Sequence, residues 1–202
     1  IFIKAVESAP FIPPAEMQVE GKEEEFLAGL RLLQRLTDGP IHLVYRKGST
    51  CRAFTEADGV VHHTVEGPHP SANSSLHIQN IDPITSAADV VWTVSALSVV
   101  QIGAAQIHRS FYRDRVVALA GTGISAEKRG FWHSQMGIAL SVFQGMQEVN
   151  TPVRWISGDP LTGQEVGLED FLGFYDTSLV AIPRREEECR EFLHFFRFTK
   201  EA

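Results

Sequence analysis

Four short patterns in this chain could carry chemistry. Residues 118–123 (ALAGTG) put Gly121 and Gly123 directly after an apolar run, where a Rossmann-type loop would cradle a phosphate with backbone N–H groups. No third glycine opens a helix, since residues 124–126 are Ile, Ser and Ala. A tight turn that needs small residues for packing accounts for the pattern better. Histidines crowd a second stretch, with His62, His63, His69 and His77 inside sixteen residues. A divalent metal could be gathered by such a loop, but no Cys/His spacing frames a ligand set, and on a strand His62 and His63 would point to opposite faces. In the third pattern His69 stands between Pro68 and Pro70, and prolines on both sides restrict the backbone and fix the direction of the imidazole. That stiffness serves a ligand contact, an interface with another chain or a rigid surface turn, and the residues leave all three open. The fourth pattern is negative: Ser95, Ser134 and Ser157 lack a Gly-x-Ser-x-Gly frame and a neighbouring base, so hydrolase chemistry is unsupported.

Composition narrows the classes further. The two cysteines, Cys51 and Cys189, are far apart and form no Cys-x-x-Cys, which suggests neither a disulfide framework nor a zinc site nor an iron–sulfur cluster and fits a reducing, cytoplasmic compartment. A net charge of −7 and a pI near 5.6 argue against a nucleic-acid partner, because counterion release needs clustered Lys and Arg. The longest apolar stretch, 90–107, is interrupted by Thr93, Ser95, Ser98, Gln101, Gly103 and Gln106, so it reads as a buried helix rather than a membrane span. Residue 1 is Ile, not Met, and opens straight into a core-like strand; a start within a longer protein is expected.

The elements that must position these residues follow from periodicity. Residues 1–6 read as a buried strand, and Pro10, Pro13 and Pro14 should keep a helix from starting after it. Phe26, Leu27, Leu30, Leu33 and Leu36 recur at helical spacing behind an acidic first turn, which predicts a helix over 22–37. A strand at 41–45 completes a βαβ unit. Short strands at 51–54 and 60–65, around the Asp58-Gly59 turn, suggest an antiparallel insertion. Residues 66–75 read as a loop, 86–111 as a helix and 115–120 as a strand of the kind buried in parallel sheets. The alternation predicts an α/β fold with a Rossmann-like, mostly parallel sheet over 1–150. At 147–152 (QEVNTP) the pattern resets. Strands at 153–157, near 171–173 and at 178–182, then a helix over 186–196, predict a small α+β unit over 151–202 that is unfinished at Ala202. The acidic run 186–188 is explained by the dipole at the start of that helix.

Taken in order, residues 67–83 (GPHPSANSSLHIQNIDP), Val91-Trp92-Thr93 with the apolar stretch to Ile107, 115–121 (RVVALAG), 153–163 (VRWISGDPLTG) and 178–183 leading to Arg190-Glu191-Phe192 resemble NqrA, the first-named component of the sodium-translocating NADH:quinone reductase. The likeness runs over nearly the whole chain. It departs at 71–75 (SANSS), where glycines are usual in that family, so the loop should be stiffer here.

The resemblance implies a peripheral subunit on the cytoplasmic face of a bacterial inner membrane, within a complex that couples electron flow from NADH to ubiquinone with sodium export. It implies that the second unit is a β-grasp domain of the soluble-ligand-binding (SLBB) type, truncated here. It also implies that NADH, FAD, FMN, riboflavin and an iron–sulfur centre belong to the other subunits, that the membrane-embedded B component is a partner, and that the fragment alone is inactive. The related FMN- and NADH-binding subunit of complex I and the RnfC subunits carry a glycine-rich nucleotide loop, and RnfC carries cluster cysteines; this chain has neither motif, so no redox group of its own is expected. The candidate quinone or interface residues are Gly67, Pro68, His69, Pro70, His77 and Asp82, with no catalytic, cofactor-binding or metal-binding residue assigned. Two alternatives remain: an RnfC-like nucleotide-binding oxidoreductase subunit using residues 118–123, and a pure assembly module.

Overall fold

The computed structural model describes residues 1–147 and 152–184. Its first sheet is built from β1 (Phe2–Ala5), β2 (His42–Arg46), β3 (Val61–Val65) and β4 (Thr93–Ser95), in the order β3-β2-β1-β4. All neighbours are parallel. Burial on both faces is why β1 and β2 are almost continuously apolar. Ile3, Ala5, Leu43 and Tyr45 face Phe26 and Leu30 of one helix, α2 (Glu23–Leu33), and Val99 and Val100 of another, α5 (Ala96–His108). The alternate residues Phe2 and Val44 meet Ala72 and the flanks of α4 (Ser74–Ile81), Ile78 and Ile81, as the period of two along a strand requires. The helices α2 and α5 touch through glycine: a Cβ on Gly29 would overlap the Val99 carbonyl, and one on Gly103 the Glu25 carbonyl.

Several local expectations change in three dimensions. A five-residue helix, α1 (Ala15–Val19), starts directly after Pro14; a proline at a helix N-terminus removes no bond, because first-turn N–H groups have no intrahelical acceptor. Residues 51–54 are helical rather than extended: α3 (Arg52–Thr55) buries Phe54 against Phe26 and carries the Arg52–Glu56 ion pair. Because α3 makes the crossover, β3 returns parallel to β2 and no antiparallel insertion forms. The expected helix over 22–37 stops at Leu33, and the amide of Gln34 turns to the Asp58 carbonyl. The helix expected from residue 86 begins at Ala96, capped by the Ser95 hydroxyl on the Ser98 N–H. The β-branched residues before it favour an extended chain and supply β4.

The second sheet contains β5 (Asp114–Ala120), β6 (Gly130–Gln135), β7 (Val153–Ser157), β8 (Gln164–Val166) and β9 (Ser178–Pro183), ordered β6-β5-β9-β7-β8. The central pair β5/β9 is parallel and every other pair antiparallel, the strand plan of a β-grasp sheet. Val117, Leu119, Leu140, Phe143, Trp155 and Leu179 form its core. The strand expected near 171–173 is a single bridge from Phe171 to Ala139, and β8 supplies the extra strand. The division expected at 150/151 lies outside the described residues, as does the predicted helix over 186–196. On either side of that division β5–β6 and β7–β9 share one sheet, so by sheet membership the chain changes over between His108 and Asp114.

The two sheets are joined through Gln18, whose amide stands in for a strand, and Arg115 holds the 174–176 segment of the second beside it. Where β9 has not yet begun, Gln18 of α1 donates to the Val116 carbonyl at 2.8 Å and accepts its N–H at 2.9 Å. Buried Arg115 binds the carbonyls of Phe174 and Asp176.

Candidate functional site

In a parallel sheet whose order reverses beside its first strand, ligands bind outside the carboxyl ends of the strands at the reversal. Here that point lies between β1 and β4, and a cavity of about 480 Å³ opens there. Its walls are the segment after β1 (Glu7, Ser8), the turn before α4 (His69, Asn73) and loops of the second sheet (Asp159, Asp176).

Where a dinucleotide fold would place glycines, the segment after β1 presents an ion pair: Lys4 Nζ lies 2.9 Å from the Glu7 carboxylate. Burial pushes the Glu7 carboxyl above the usual range, Lys4 pulls it back, and Asp159 adds a smaller upward push. Lys4 offsets the Glu7 charge, but Asp159 and Asp176 line the same cavity, so its wall carries net negative charge and repels phosphate. The Asp159 carboxyl titrates oppositely to that of Glu7. Burial pushes it up, but the Thr162 hydroxyl and the N–H groups of Leu161 and Thr162, with His69 nearby, hold it below the ordinary aspartate range. Ser157 donates to Asp176 and accepts the Gly173 N–H, which fixes the far wall.

The turn at 67–73 is tied by its own backbone: Ser71 N–H donates to Pro68 O at 2.9 Å, Asn73 N–H to Pro70 O at 2.8 Å, and the Ser71 hydroxyl to Gly67 O at 3.0 Å. The His69-Pro70 bond is cis and Gly67 sits at φ 123°. Ser8 Oγ accepts the Ala72 N–H at 3.0 Å and lies 3.2 Å from His69 Nδ1. The Ser8 hydroxyl, which also has a proton to give, holds Nδ1 of His69. In the tautomer in which Ser8 donates to Nδ1, the proton of His69 sits on Nε2, an N–H donor on a residue that lines the cavity.

The predicted site residues therefore separate. Gly67, Pro68 and Pro70 shape the turn, and His69 enters the cavity wall. His77 does not: it is buried on α4 with Nε2 2.8 Å from the Ser71 carbonyl, so it holds the turn in place. Asp82 stands at the opposite end of the eight-residue α4, roughly 12 Å along the helix axis, and pairs loosely with His42 at 3.8 Å. No motif singles out Ser8, Glu7, Asn73, Asp159 or Asp176. Their only signal is position, since Glu7 and Ser8 follow the first strand of a sheet whose order reverses there.

The glycine turn after β5 is closed. Gly121 has φ 100° and a Cβ on it would overlap the Ala181 carbonyl; Gly123 N–H donates to that same carbonyl at 2.8 Å and Ile124 N–H to Gly121 O at 3.2 Å. Of the paired histidines, His62 turns to the Ala57 carbonyl and His63 to His42, on opposite faces as expected. Among the described residues no three His, Cys, Asp or Glu side chains gather in a metal-binding geometry, and no helix is long and apolar enough to cross a membrane. Burial raises the Cys51 thiol, with only partial relief from nearby N–H groups.

A family model described as the NqrA second alpha/beta domain matches residues 1–108, ending at the last residue of α5. The NqrA component of the Na(+)-translocating NADH-quinone reductase from Chlamydia pneumoniae is 32% identical over 206 residues, covering 98% of this chain and 44% of that protein. Its counterpart from Glaesserella parasuis is 33% identical over 208 residues, covering 99% and 46%, and that from Tolumonas auensis 31% over 189 residues, covering 93% and 41%. The chain spans less than half the length of these curated relatives.

Proposed function

Because this chain belongs to the family of the NqrA second α/β domain, we propose that it serves within the NqrA component of a sodium-pumping NADH:quinone oxidoreductase and supports electron transfer to quinone. On this reading it is a peripheral part of the complex at the cytoplasmic face of the bacterial inner membrane, with the other subunits, the membrane-embedded B component above all, as partners. The redox groups (NADH, FAD, FMN, riboflavin and the iron–sulfur centre) are carried by those subunits, and this chain holds none of its own. The sequence alone predicts units at 1–150 and 151–202; sheet membership favours a division in the 109–113 segment instead.

The crevice between β1 and β4 is the proposed quinone contact, and one observation carries it: Ser8 engages one ring nitrogen of His69 and leaves the other on the wall of a cavity whose floor bears a carboxylate. A quinone headgroup is neutral and bears two carbonyl acceptors, so it accepts from His69 Nε2 and suffers no repulsion from the acidic wall, as a phosphate would. Among the candidate residues, His69 makes the contact. Gly67, Pro68, Pro70 and His77 position it, and Asp82 stands apart.

The nucleotide-binding alternative at residues 118–123 is disfavoured, because the Gly123 and Ile124 amides already bond within the fold. The assembly alternative draws support from exposed Phe171, Phe174 and Tyr175, which suit a partner surface. Photo-crosslinking a quinone analogue to the intact complex decides between them. Labelled peptides from residues 4–12 or 67–73, lost on adding unlabelled ubiquinone, are the expected result. Competable labelling confined to other subunits overturns the quinone contact and leaves assembly.

A further inference from the structure

Beneath α4, on the face of the first sheet away from α2 and α5, two histidines from adjacent strands meet directly. His42 Nδ1 lies 3.0 Å from His63 Nε2, with ring centroids 5.2 Å apart. His42 is 7% exposed, and its ring stacks on Phe2 at 4.6 Å. Its other nitrogen, Nε2, has no hydrogen-bond partner among the described residues, and the Asp82 carboxylate is 3.8 Å away. The remaining titratable groups that act on the pair are the amino group of Ile1, His77 of α4 and, from the other face of β3, His62. Asp82 is the one anion among them, and it reaches His42 alone.

Two ring nitrogens at this distance share one proton: one donates and the other accepts. The neutral pair satisfies this, and so does the pair with one added proton on the outer nitrogen of His63. A second added proton puts N–H against N–H and a second positive charge in a buried site. The strands cannot separate to relieve it, because the β2/β3 ladder runs from His42–Val61 to Arg46–Val65. The movable wall is α4, eight residues long and attached through Ile78, Ile81 and His77. An isolated helix of that length is unstable in water. His77 is bonded to Ser71, so α4 and the 67–73 turn move together, and their release breaks the Ala72–Ser8 bond that ties the turn to the segment after β1.

We infer that the His42–His63 pair is an acid-sensitive latch: full protonation is incompatible with docked α4, and acidification releases α4 together with the turn that carries His69. The latch stands on its own geometry, whether or not the crevice takes a quinone.

The direction is fixed by linkage. Burial depresses both imidazoles; the Ile1 amino group deepens the effect at His42 while Asp82 opposes it, and at His63 the other histidines deepen it further. A histidine held below its ordinary value leaves the docked state intact above about pH 6.5 and weakens it as pH falls below that point, by up to about tenfold in the docked-to-released ratio per pH unit for each excluded proton.

Hydrogen exchange of the full chain at pH 7.5 and 5.5, corrected for the intrinsic pH dependence of exchange, tests this. The expected result is about a tenfold loss of protection confined to residues 67–81, with α2 and α5 unchanged, and retention of protection at pH 5.5 in His63→Gln, whose amide can still donate to His42. Unchanged protection in the parent chain, parallel loss in α2 and α5, or the same loss in His63→Gln overturns the latch. Should His63→Gln fail to fold, NMR titration of the parent imidazoles replaces it. The latch requires His42 and His63 to take up no more than one proton before residues 67–81 open; uptake of two protons with the turn still protected overturns it.

Discussion

Two turns in this chain look equally suited to holding a ligand; both spend their amides on the fold, and they differ in what that leaves over. The turn after β5 has the glycines of a phosphate loop, yet Gly121 and Gly123 are packed on β9 and the Gly123 amide donates to Ala181. The turn before α4 has two prolines, and its amides also bond internally. Its internal bonding, however, fixes a side chain: Ser8 accepts from Ala72 and orients His69, whose second nitrogen is left over. Glycine shows only that backbone approaches something closely. What it approaches, a neighbouring strand or a ligand, depends on which donors the fold leaves unengaged.

The sharpest way to break this contrast is Gly121→Val. The position combines a positive φ with direct overlap of the Ala181 carbonyl, so the substitution should cost about 3–5 kcal/mol, lowering the unfolding midpoint by roughly 10 °C in a chain of this size. A midpoint within a degree or two of the parent would mean that the turn is not needed for packing. The other turn responds less. His77→Ala removes the partner of the buried Ser71 carbonyl and should cost about 1–3 kcal/mol, with faster exchange at residues 67–73. Loss of stability without that local loosening would show that His77 does not hold the turn.

Much of the first sheet was legible because its strands are buried on both faces and its helix α2 has an unambiguous period. What failed there failed for reasons outside any local window. Residues 51–54 read as extended from their own composition, but Phe54 finds Phe26 across the fold and α3 forms to deliver it. Residues 93–95 read as part of a helix over 86–111 because nothing nearby shows that β1 offers a free edge for pairing. The site divides in the same way. His69 is visible through its flanking prolines, a local constraint. Ser8 and Glu7 matter because of strand order, and Asp159 and Asp176 because Gln18 fastens the second sheet against the first while Arg115 holds the 174–176 segment within the second. Long-range pairing of this kind leaves no trace in spacing.

Ser8→Ala sharpens the comparison at the level of a single hydrogen bond. The hydroxyl accepts the N–H of buried Ala72, so its loss should cost about 1 kcal/mol of stability, and without it His69 is free to change tautomer and orientation. If the quinone reading holds, labelling by a quinone analogue should require about tenfold more reagent for half-maximal yield, equivalent to about 1.4 kcal/mol, with the unfolding midpoint lowered by only about 2–4 °C. Labelling that is indifferent to the substitution would detach the pair from the contact.

The smallest effect expected is at Glu7, and its sign carries the information. A carboxyl held above its usual range by burial favours the folded state most when protonated. Its contribution is fully present below the ordinary glutamate value and is lost as pH rises through the higher folded-state value. Glu7→Gln keeps an acceptor for Lys4 and removes the buried charge, so the variant should match the parent near pH 4 and unfold slightly later than the parent at pH 8. An earlier midpoint at pH 8 would mean that the ion pair with Lys4 outweighs burial, and that the crevice floor is kept charged because the charge stabilises it. The expected order leaves a carboxylate retained against stability where the strand order invites a phosphate, as the proposed contact with an uncharged quinone requires.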